Sequence, residues 1–341
     1  MNRYSLSALF FLLRVWTFGK VINAVQVFFS YHFSRWKKAP NMIGLPFSVS
    51  IEPTTSCNLR CPECPSGLRS FTRPTGMLNP DLLDDFLNQT DSHLVYLNFY
   101  FQGEPFLHPS FLDLVERCVR RSIFTSTSTN AHYLNIQTAE QVVRSGLHRL
   151  IVSLDGASQE VYASYRKGGN IDKVLQGIKN VAEARKRLGK RNPEIVVQNL
   201  LVKPNIHEKN QVENLAKTLG ADRVVFKTAQ VYDLTADHQL VPDEPKYSRY
   251  RRTANGTLEI KNDLLNQCWR MWSGCVVTWD GRVVPCCFDK DASHKMGSLK
   301  ENAFAQIWNS ESYNAFRQSI LVSRSTIDMC KNCTEGTKVW A

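Results

Sequence analysis

The sequence predicts an α/β fold, a partial (β/α)6 TIM-like barrel followed by a small cysteine-ligated C-terminal domain. Three observations lead there. Between Phe47 and Gln230, short runs rich in β-branched and aromatic residues alternate with longer helical patterns, as a parallel sheet requires. A polar stretch with Pro242 and Pro245 then breaks the alternation. Beyond it the cysteines return in a second group, from Cys268 to Cys333.

The order of elements divides the chain into an N-terminal extension (1–45), the barrel (46–231), a connector (232–265) and the C-terminal domain (266–341). In the extension, Tyr4–Leu13 is uncharged and mostly apolar, and Val21–Ser34 is apolar without Lys or Arg. Lys20, Asn23, Gln26, Ser30, Ser34 and Lys37 recur every three or four residues, a narrow polar stripe on a helix. Neither stretch reaches the roughly 18 apolar residues of a spanning helix. Two readings stand side by side: helices lying in a membrane interface, with contact through residues 1–38, or helices capping the core of the next domain.

Strands are expected at Ser48–Glu52, Val95–Phe101, Phe124–Ser128, Leu150–Leu154, Ile195–Leu201 and Val224–Lys227. Helices are clearest at Asp81–Asn88, Phe111–Arg121, Ala139–Ser145, Lys173–Arg187 and Lys209–Leu219. Six such units make a sheet that curves into a partly closed barrel, whose functional groups gather at the C-terminal strand ends. Strand parity turns Tyr100 and Lys227 toward the interior.

Composition narrows the function. The net charge of +11 raises nucleic acid as a partner. Six of the basic residues, however, lie in residues 1–51, which hold no Asp or Glu. No nucleic-acid-binding motif is present, so no nucleic acid is expected. The ten cysteines fall in tight groups within a chain too long to need disulfide staples. That pattern implies metal ligation in a reducing compartment, the cytoplasm. Cys118 is expected as a buried small residue on a helix. The eight histidines are scattered, and His108 reads as a packing or capping residue.

Cys57, Cys61 and Cys64 stand at C-x3-C-x2-C spacing directly after the first strand. Three thiolates hold three corners of a [4Fe–4S] cube and leave one iron open, whereas a closed zinc or cluster site takes four. An open iron on a reducing cluster can bind a chelating molecule and pass it an electron, with S-adenosylmethionine as the natural ligand. In the C-terminal region Cys268, Cys286, Cys330 and Cys333 offer four further thiolates, with Asp280-Gly281 turning a hairpin that would lift Cys286 toward the last pair. Cys287 is the adjacent competitor for Cys286, and Cys275 a more distant one. Those four suit a second cluster with every corner occupied, or a structural zinc.

With its cysteine loop after the first of six β/α units, the chain resembles the radical S-adenosylmethionine superfamily. Phe101-Gln102-Gly103-Glu104-Pro105 resembles the family's GGEP element, with Gln102 in place of the first glycine. Thr129-Asn130-Ala131 is similar to its TNG turn, and Ser153-Leu154-Asp155-Gly156 to its SLDG element. The resemblance implies that Gly103 admits close backbone approach and that Glu104 holds the methionyl amino group. It also implies that Ser153 contacts the ribose or methionyl part and that Arg166 neutralises the methionyl carboxylate. Glu63 stands where many members carry an aromatic residue. The C-terminal pattern resembles the SPASM/Twitch extensions, and with no cysteine after Cys333 it implies one auxiliary [4Fe–4S] cluster.

The implied activity is reductive cleavage of S-adenosylmethionine to a 5′-deoxyadenosyl radical that takes hydrogen from a small-molecule, lipid-linked or peptide substrate. The auxiliary cluster would accept an electron or shape the pocket. A reducing donor such as flavodoxin or ferredoxin is implied, at a cytoplasmic location or the inner face of the membrane. Two readings from other classes compete: a non-catalytic iron–sulfur protein for electron transfer or scaffolding, and a zinc-stabilised nucleic-acid-binding protein. No catalytic acid or base can be assigned from the sequence.

Overall fold

The computed structural model describes residues 15–336; the expected apolar segment Tyr4–Leu13 lies outside them. Six parallel strands appear in the expected places: β1 (Ser48–Ile51), β2 (Tyr96–Phe99), β3 (Phe124–Thr129), β4 (Arg149–Ser153), β5 (Glu194–Leu201) and β6 (Arg223–Thr228). Each pairs with the next in sequence order. Helix α1 (Phe18–Lys37) precedes them. Helices α2 (Pro80–Thr90), α3 (Phe111–Arg120), α4 (Ile136–Arg144), α5 (Gln159–Tyr165), α6 (Ile171–Arg187) and α7 (Lys209–Thr218) connect them, and α8 (Glu311–Ser323) lies near the C-terminus.

The helices start where their caps allow. The Asn79 side chain accepts from Asp81 N ahead of Pro80, Asn135 from Thr138 N and Asn170 from Lys173 N. The helices between the strands then lay apolar stripes on the sheet. Leu83, Phe86 and Leu87 of α2, Leu114, Val115 and Cys118 of α3, and Val174, Ile178 and Val181 of α6 form one core with Val49, Leu97, Leu150 and Val197 of the strands. Cys118 is fully buried there, as expected of a small apolar residue. His108 is buried as well, its ring nitrogens bonded to Leu78 O at 2.8 Å and Ser110 N at 3.2 Å.

The sheet is larger than the six repeats. Strand β9 (Gly274–Val277) pairs parallel to β1, and β10 (Arg282–Val284) and β11 (Gly297–Ser298) continue antiparallel beyond it. The nine-stranded order is β11-β10-β9-β1-β2-β3-β4-β5-β6, with β1 inside rather than at the edge. Part of the expected C-terminal domain is thus continuous with the barrel sheet. Glycine permits this at Gly274, where a Cβ would lie 2.2 Å from Ser48 O. The expected Asp280-Gly281 turn joins β9 to β10, with Gly281 at φ +87°.

The connector also departs from expectation. Residues 232–265 contain an antiparallel hairpin, β7 (Tyr250–Arg252) with β8 (Leu258–Ile260). Three paired residues are too few for a period to show in the sequence. Tyr250 and Leu258 pack with Leu59, Cys61 and Tyr165, so the connector covers the first cysteine loop.

One buried ion pair ties these parts together. Arg73 Nη1 and Nη2 donate to the two oxygens of Glu52 at 2.8 and 2.6 Å, and both side chains are almost wholly buried. Glu52 also accepts from Trp279 N in the β9–β10 turn, and Arg73 Nε donates to Lys290 O. The pair therefore joins the end of β1, the chain returning from the cysteine loop and the C-terminal hairpin. Glu52→Gln removes the counter-charge and leaves Arg73 buried alone, so it should cost about 3–5 kcal/mol. The measurement is the urea midpoint, falling at unchanged slope. Glu52→Gln combined with Arg73→Met should recover most of the loss.

Candidate functional site

Two groups of cysteines lie within electrostatic reach of Tyr100, which lines an interior cavity. The first is the loop after β1, at the C-terminal mouth of the barrel. Its backbone is held from several sides: Glu104 N donates to Ser56 O at 2.8 Å and Arg60 N to Lys167 O at 2.9 Å. Gly103 lies so close beneath that a Cβ would meet Thr54 O at 2.1 Å, and its φ of +77° is left-handed. Only glycine fits both demands.

Each thiol of the trio has a polar companion from a different part of the barrel. Asn130, after β3, brings Nδ2 to 4.0 Å from Cys57 Sγ and 2.8 Å from Asn58 Oδ1. Arg166, after α5, brings Nη1 to 3.8 Å from Cys61 Sγ. Gln102, after β2, lies 3.9 Å from Cys64 Sγ and 3.5 Å from Ser66 Oγ, and Ser66 accepts from Gly103 N. Gln102 and Ser66 were missed as site residues. The visible signal was the departure from a glycine at 102 within a recognisable element.

Burial dominates the electrostatics. It pushes the Cys57 thiol up to about 12 and raises that of Cys61, where Arg166 opposes it. Glu104 is 2% exposed, and burial pushes its carboxyl up to about 7 against hydrogen bonds from Asn130 N, Thr129 Oγ1 and Phe106 N. Asp155 is wholly buried, with one oxygen accepting from Leu200 N at 2.6 Å and the other from Arg166 Nε at 2.5 Å. Both oxygens of Asp155 are thus committed within the protein, and its visible task is to hold Arg166 over the loop. Ser153, at the end of β4, is buried on the strand face that Ile151 presents to the cavity. Pro105 opens the short turn that carries Glu104. Glu63 accepts from Tyr232 N at 3.1 Å and lies 3.4 Å from His238 Nε2, so the residue standing in the usual aromatic position anchors the connector.

The second group comes from the C-terminal region. Cys268, Cys330 and Cys333 share the electrostatic surroundings of Arg324, and Cys286 feels both Cys268 and Cys287. Burial raises Cys268 and Cys333 and pushes Cys330 up to about 11. Asn332, inside the Cys330–Cys333 pair, donates to Val231 O and accepts from Tyr250 Oη, both at 2.7 Å. Cys275 stands apart, buried on β9 among Tyr313 and Arg317. Cys287 is adjacent to Cys286, with Arg270 Nη1 at 3.7 Å. Among the described residues no three His, Cys, Asp or Glu side chains are gathered closely enough to hold a single metal ion. The chemistry of the donor sets, three thiols on one loop and four more brought together from distant parts of the chain, fits iron–sulfur ligation.

The barrel interior holds a cavity of about 540 Å³. Ser48 and Ser50 of β1, Asn98 of β2, Ser128 of β3, Gln198 of β5 and Lys227 of β6 line it, and Cys286 and Cys287 close it on the β9 side. Tyr100 lies in the electrostatic surroundings of Cys61 and Cys64 and also of Cys287. The two interior positions expected from parity, Tyr100 and Lys227, both line the cavity.

The sequence model of the radical SAM superfamily matches residues 51–217, and that of an iron–sulfur cluster-binding domain, SPASM, matches residues 268–334. This chain belongs to the radical SAM superfamily. It is 24% identical over 316 residues to the tungsten-containing aldehyde ferredoxin oxidoreductase cofactor-modifying protein of Pyrococcus furiosus, covering 83% of this chain and 86% of that one. It is 26% identical to the PqqA peptide cyclase of Streptomyces rochei over 86% of this chain and 83% of the relative. Its fold is similar to Streptococcus suis SuiB bound to precursor peptide SuiA, at 16% identity and TM-score 0.60, over 84% of this chain and 70% of that one. The radical SAM match carries with it a [4Fe–4S] cluster and S-adenosylmethionine, and the SPASM match auxiliary iron–sulfur binding.

Replacing Gln102 by Gly restores the usual element but removes the amide beside Cys64 and Ser66. The expected loss is about 1–3 kcal/mol, read by thermal unfolding, with a shifted reduction potential of the reconstituted cluster read by EPR-monitored titration.

Proposed function

We propose that the chain is a cytoplasmic radical SAM maturase that acts on a polar, anionic group of a peptide or small-molecule substrate held between two clusters. The observation that carries this reading is an interior cavity walled by Cys286 and Cys287, whose lining residue Tyr100 also lies in the electrostatic surroundings of Cys61 and Cys64. Cys57, Cys61 and Cys64 would hold the [4Fe–4S] cluster with an open iron. Cys268, Cys286, Cys330 and Cys333 would hold one auxiliary [4Fe–4S] cluster. When bound, cluster and S-adenosylmethionine together supply a 5′-deoxyadenosyl radical that abstracts hydrogen from the substrate.

The chain's own residues bind, orient and exclude water. Glu104, as a carboxylate, pairs with the methionyl ammonium, and Gly103 lets the cysteine-loop backbone pack closely beside it. Arg166, fixed by Asp155, supplies a guanidinium between the cysteine loop and the methionyl carboxylate. Thr129 and Asn130 hold Glu104, and Ser153 faces the same space. The connector, anchored through Glu63, keeps water from the loop side, which a reactive radical requires.

Substrate selection falls to the cavity. Its lining offers hydroxyls, amides, Lys227 and Arg270, the last paired with Glu335, with no carboxylate in the lining among the described residues. Lys227 forms no ion pair there, so a substrate carboxylate or phosphate is the complementary partner. Relatives named as a peptide cyclase and a cofactor-modifying protein support peptide and small-molecule classes alike. Electrons would come from a reduced flavodoxin or ferredoxin.

Anaerobic reconstitution with iron and sulfide, followed by reductant and S-adenosylmethionine, separates this reading from its competitors. The expected result is a brown protein that releases 5′-deoxyadenosine. A colourless zinc protein, or a brown one that releases none, would refute it. Cys61→Ala should abolish the product, whereas Cys330→Ala should keep uncoupled cleavage and lose only substrate turnover.

Glu104 makes the binding pH-dependent. Its raised value means that the neutral acid persists up to about pH 7, and the neutral acid cannot pair with an ammonium. S-adenosylmethionine affinity should therefore rise as pH increases through 7, until the ligand's own amine begins to lose its proton near pH ~8. Glu104→Gln should bind about tenfold more weakly and lose the rise. Equilibrium dialysis across pH reads both.

A further inference from the structure

Helix α1 is mounted with its polarity reversed. A surface helix ordinarily turns its apolar stripe to the core. Here four members of the polar stripe, Lys20, Asn23, Ser30 and Ser34, are buried and serve as the attachment, while Gln26 and Lys37 are exposed. Lys20 Nζ donates to Ser122 O at 3.0 Å, just before β3. Asn23 exchanges two hydrogen bonds with the Leu45 backbone, both at 2.8 Å. Ser30 Oγ accepts from Ile43 N at 3.2 Å, and Ser34 Oγ from Asn41 N at 2.9 Å. Together with Val27 and Tyr31, these contacts fix the helix across the end of the barrel where the strands begin.

The exposed face is mostly apolar along the helix, with Gln26 as a polar interruption. Phe18 is 82% exposed, Phe29 64% and Trp36 74%, with Val21, Ile22, Val25 and Phe33 between them also exposed. Beyond Trp36, a neighbouring cavity of about 650 Å³ lined in part by Arg35, Lys38 and Asn266 leads to exposed Leu265 and Val322. A contiguous stripe of this kind marks an interaction surface.

Charge identifies the occupant. Arg35, Lys37 and Lys38 are exposed at the C-terminal end of the stripe, and the first 51 residues hold no Asp or Glu. A second copy meeting this face would bring cations together without a carboxylate on either helix to pair them. Anionic lipid headgroups supply that charge, and acyl chains accept the aromatic and aliphatic row. Among the described residues no helix is long and apolar enough to cross a membrane, so the helix would lie in the surface rather than span it. We propose that α1 docks the enzyme on an anionic bilayer through Phe18, Val25, Phe29, Phe33 and Trp36, with Arg35, Lys37 and Lys38 at the headgroups. The cysteine loop, at the other end of β1, then faces the aqueous side.

The test uses the reconstituted full chain with vesicles of phosphatidylcholine alone and of phosphatidylcholine with phosphatidylglycerol. Cosedimentation should be at least about tenfold stronger on the anionic vesicles and should weaken with salt. Val25→Glu/Phe29→Glu should lose about tenfold or more on the anionic vesicles, with circular dichroism and uncoupled S-adenosylmethionine cleavage unchanged. Lys37→Glu/Lys38→Glu should lose only the anionic preference. Should the double glutamate variant misfold, brominated-chain lipids provide a second readout: they should quench wild-type fluorescence, and less so in Trp36→Phe. Failure of the wild type to bind either vesicle would overturn the proposal. So would a wild-type dimer in ultracentrifugation that Val25→Glu/Phe29→Glu dissociates without any vesicle binding. Binding that depends wholly on residues 1–14 and ignores Val25→Glu/Phe29→Glu would assign the contact elsewhere.

Discussion

The ion pair of Glu52 and Arg73 sets the geometry on which both cysteine sites depend. Glu52 immediately follows β1, which is hydrogen-bonded to β2 on one side and β9 on the other. Five residues later comes the first cysteine. By accepting from Arg73 and from Trp279 N, the carboxylate holds the cysteine loop's return and the C-terminal hairpin against one strand end. Burying two charges is an inefficient way to stabilise a fold. Its consequence here is register: β10 leads straight to Cys286, so fixing that hairpin on β1 fixes the distance between the two groups of thiols.

The same economy of burial runs through the site. The thiols of Cys57, Cys61, Cys268, Cys330 and Cys333 all sit in surroundings that favour the protonated form. Ligation by a metal reverses that preference, because the ion supplies the positive charge that burial withholds. Arg166 beside Cys61 and Arg324 among the C-terminal cysteines supply part of it beforehand. Glu104 is the mirror case, a carboxylate kept close to neutrality until a cationic ligand arrives. The protein without its cofactors is thus held away from the charge states it needs when loaded.

Much of this was legible in the sequence, and the parts that were not have physical reasons. The six strands and their helices followed from period and caps, since Val, Ile and Thr runs and Asn caps act locally. The cysteine spacing, Gly103 and Glu104 were readable because their chemistry is tied to short motifs. Strand β9 was not readable as a barrel strand: Gly274-Cys275-Val276-Val277 is four residues long, and its partner lies more than two hundred positions upstream. Asp155 could be placed at the strand end, but its commitment to Arg166 and Leu200 N depends on tertiary contacts. Of the trio's polar companions, Asn130 and Arg166 were legible through their motifs, whereas Gln102 left a mark only as a departure from glycine.

Helix α1 marks the limit of pattern reading most sharply. Period shows that Lys20, Asn23, Ser30 and Ser34 share a face, but it says nothing about which face meets the protein. The deciding term is the unpaired backbone of residues 41–45, which runs to β1 without forming secondary structure. Its N–H and C=O groups require partners when buried, and the polar stripe supplies them at Asn41, Ile43 and Leu45. An apolar stripe on that side would have left those half-exposed groups to water or unpaired. The helix therefore satisfies the entry to the barrel with its polar side, and the apolar row is left outward as the direct consequence. One helix can in this way serve both readings of the N-terminal sequence, closing the barrel's lower end with one face while presenting a membrane-compatible surface with the other.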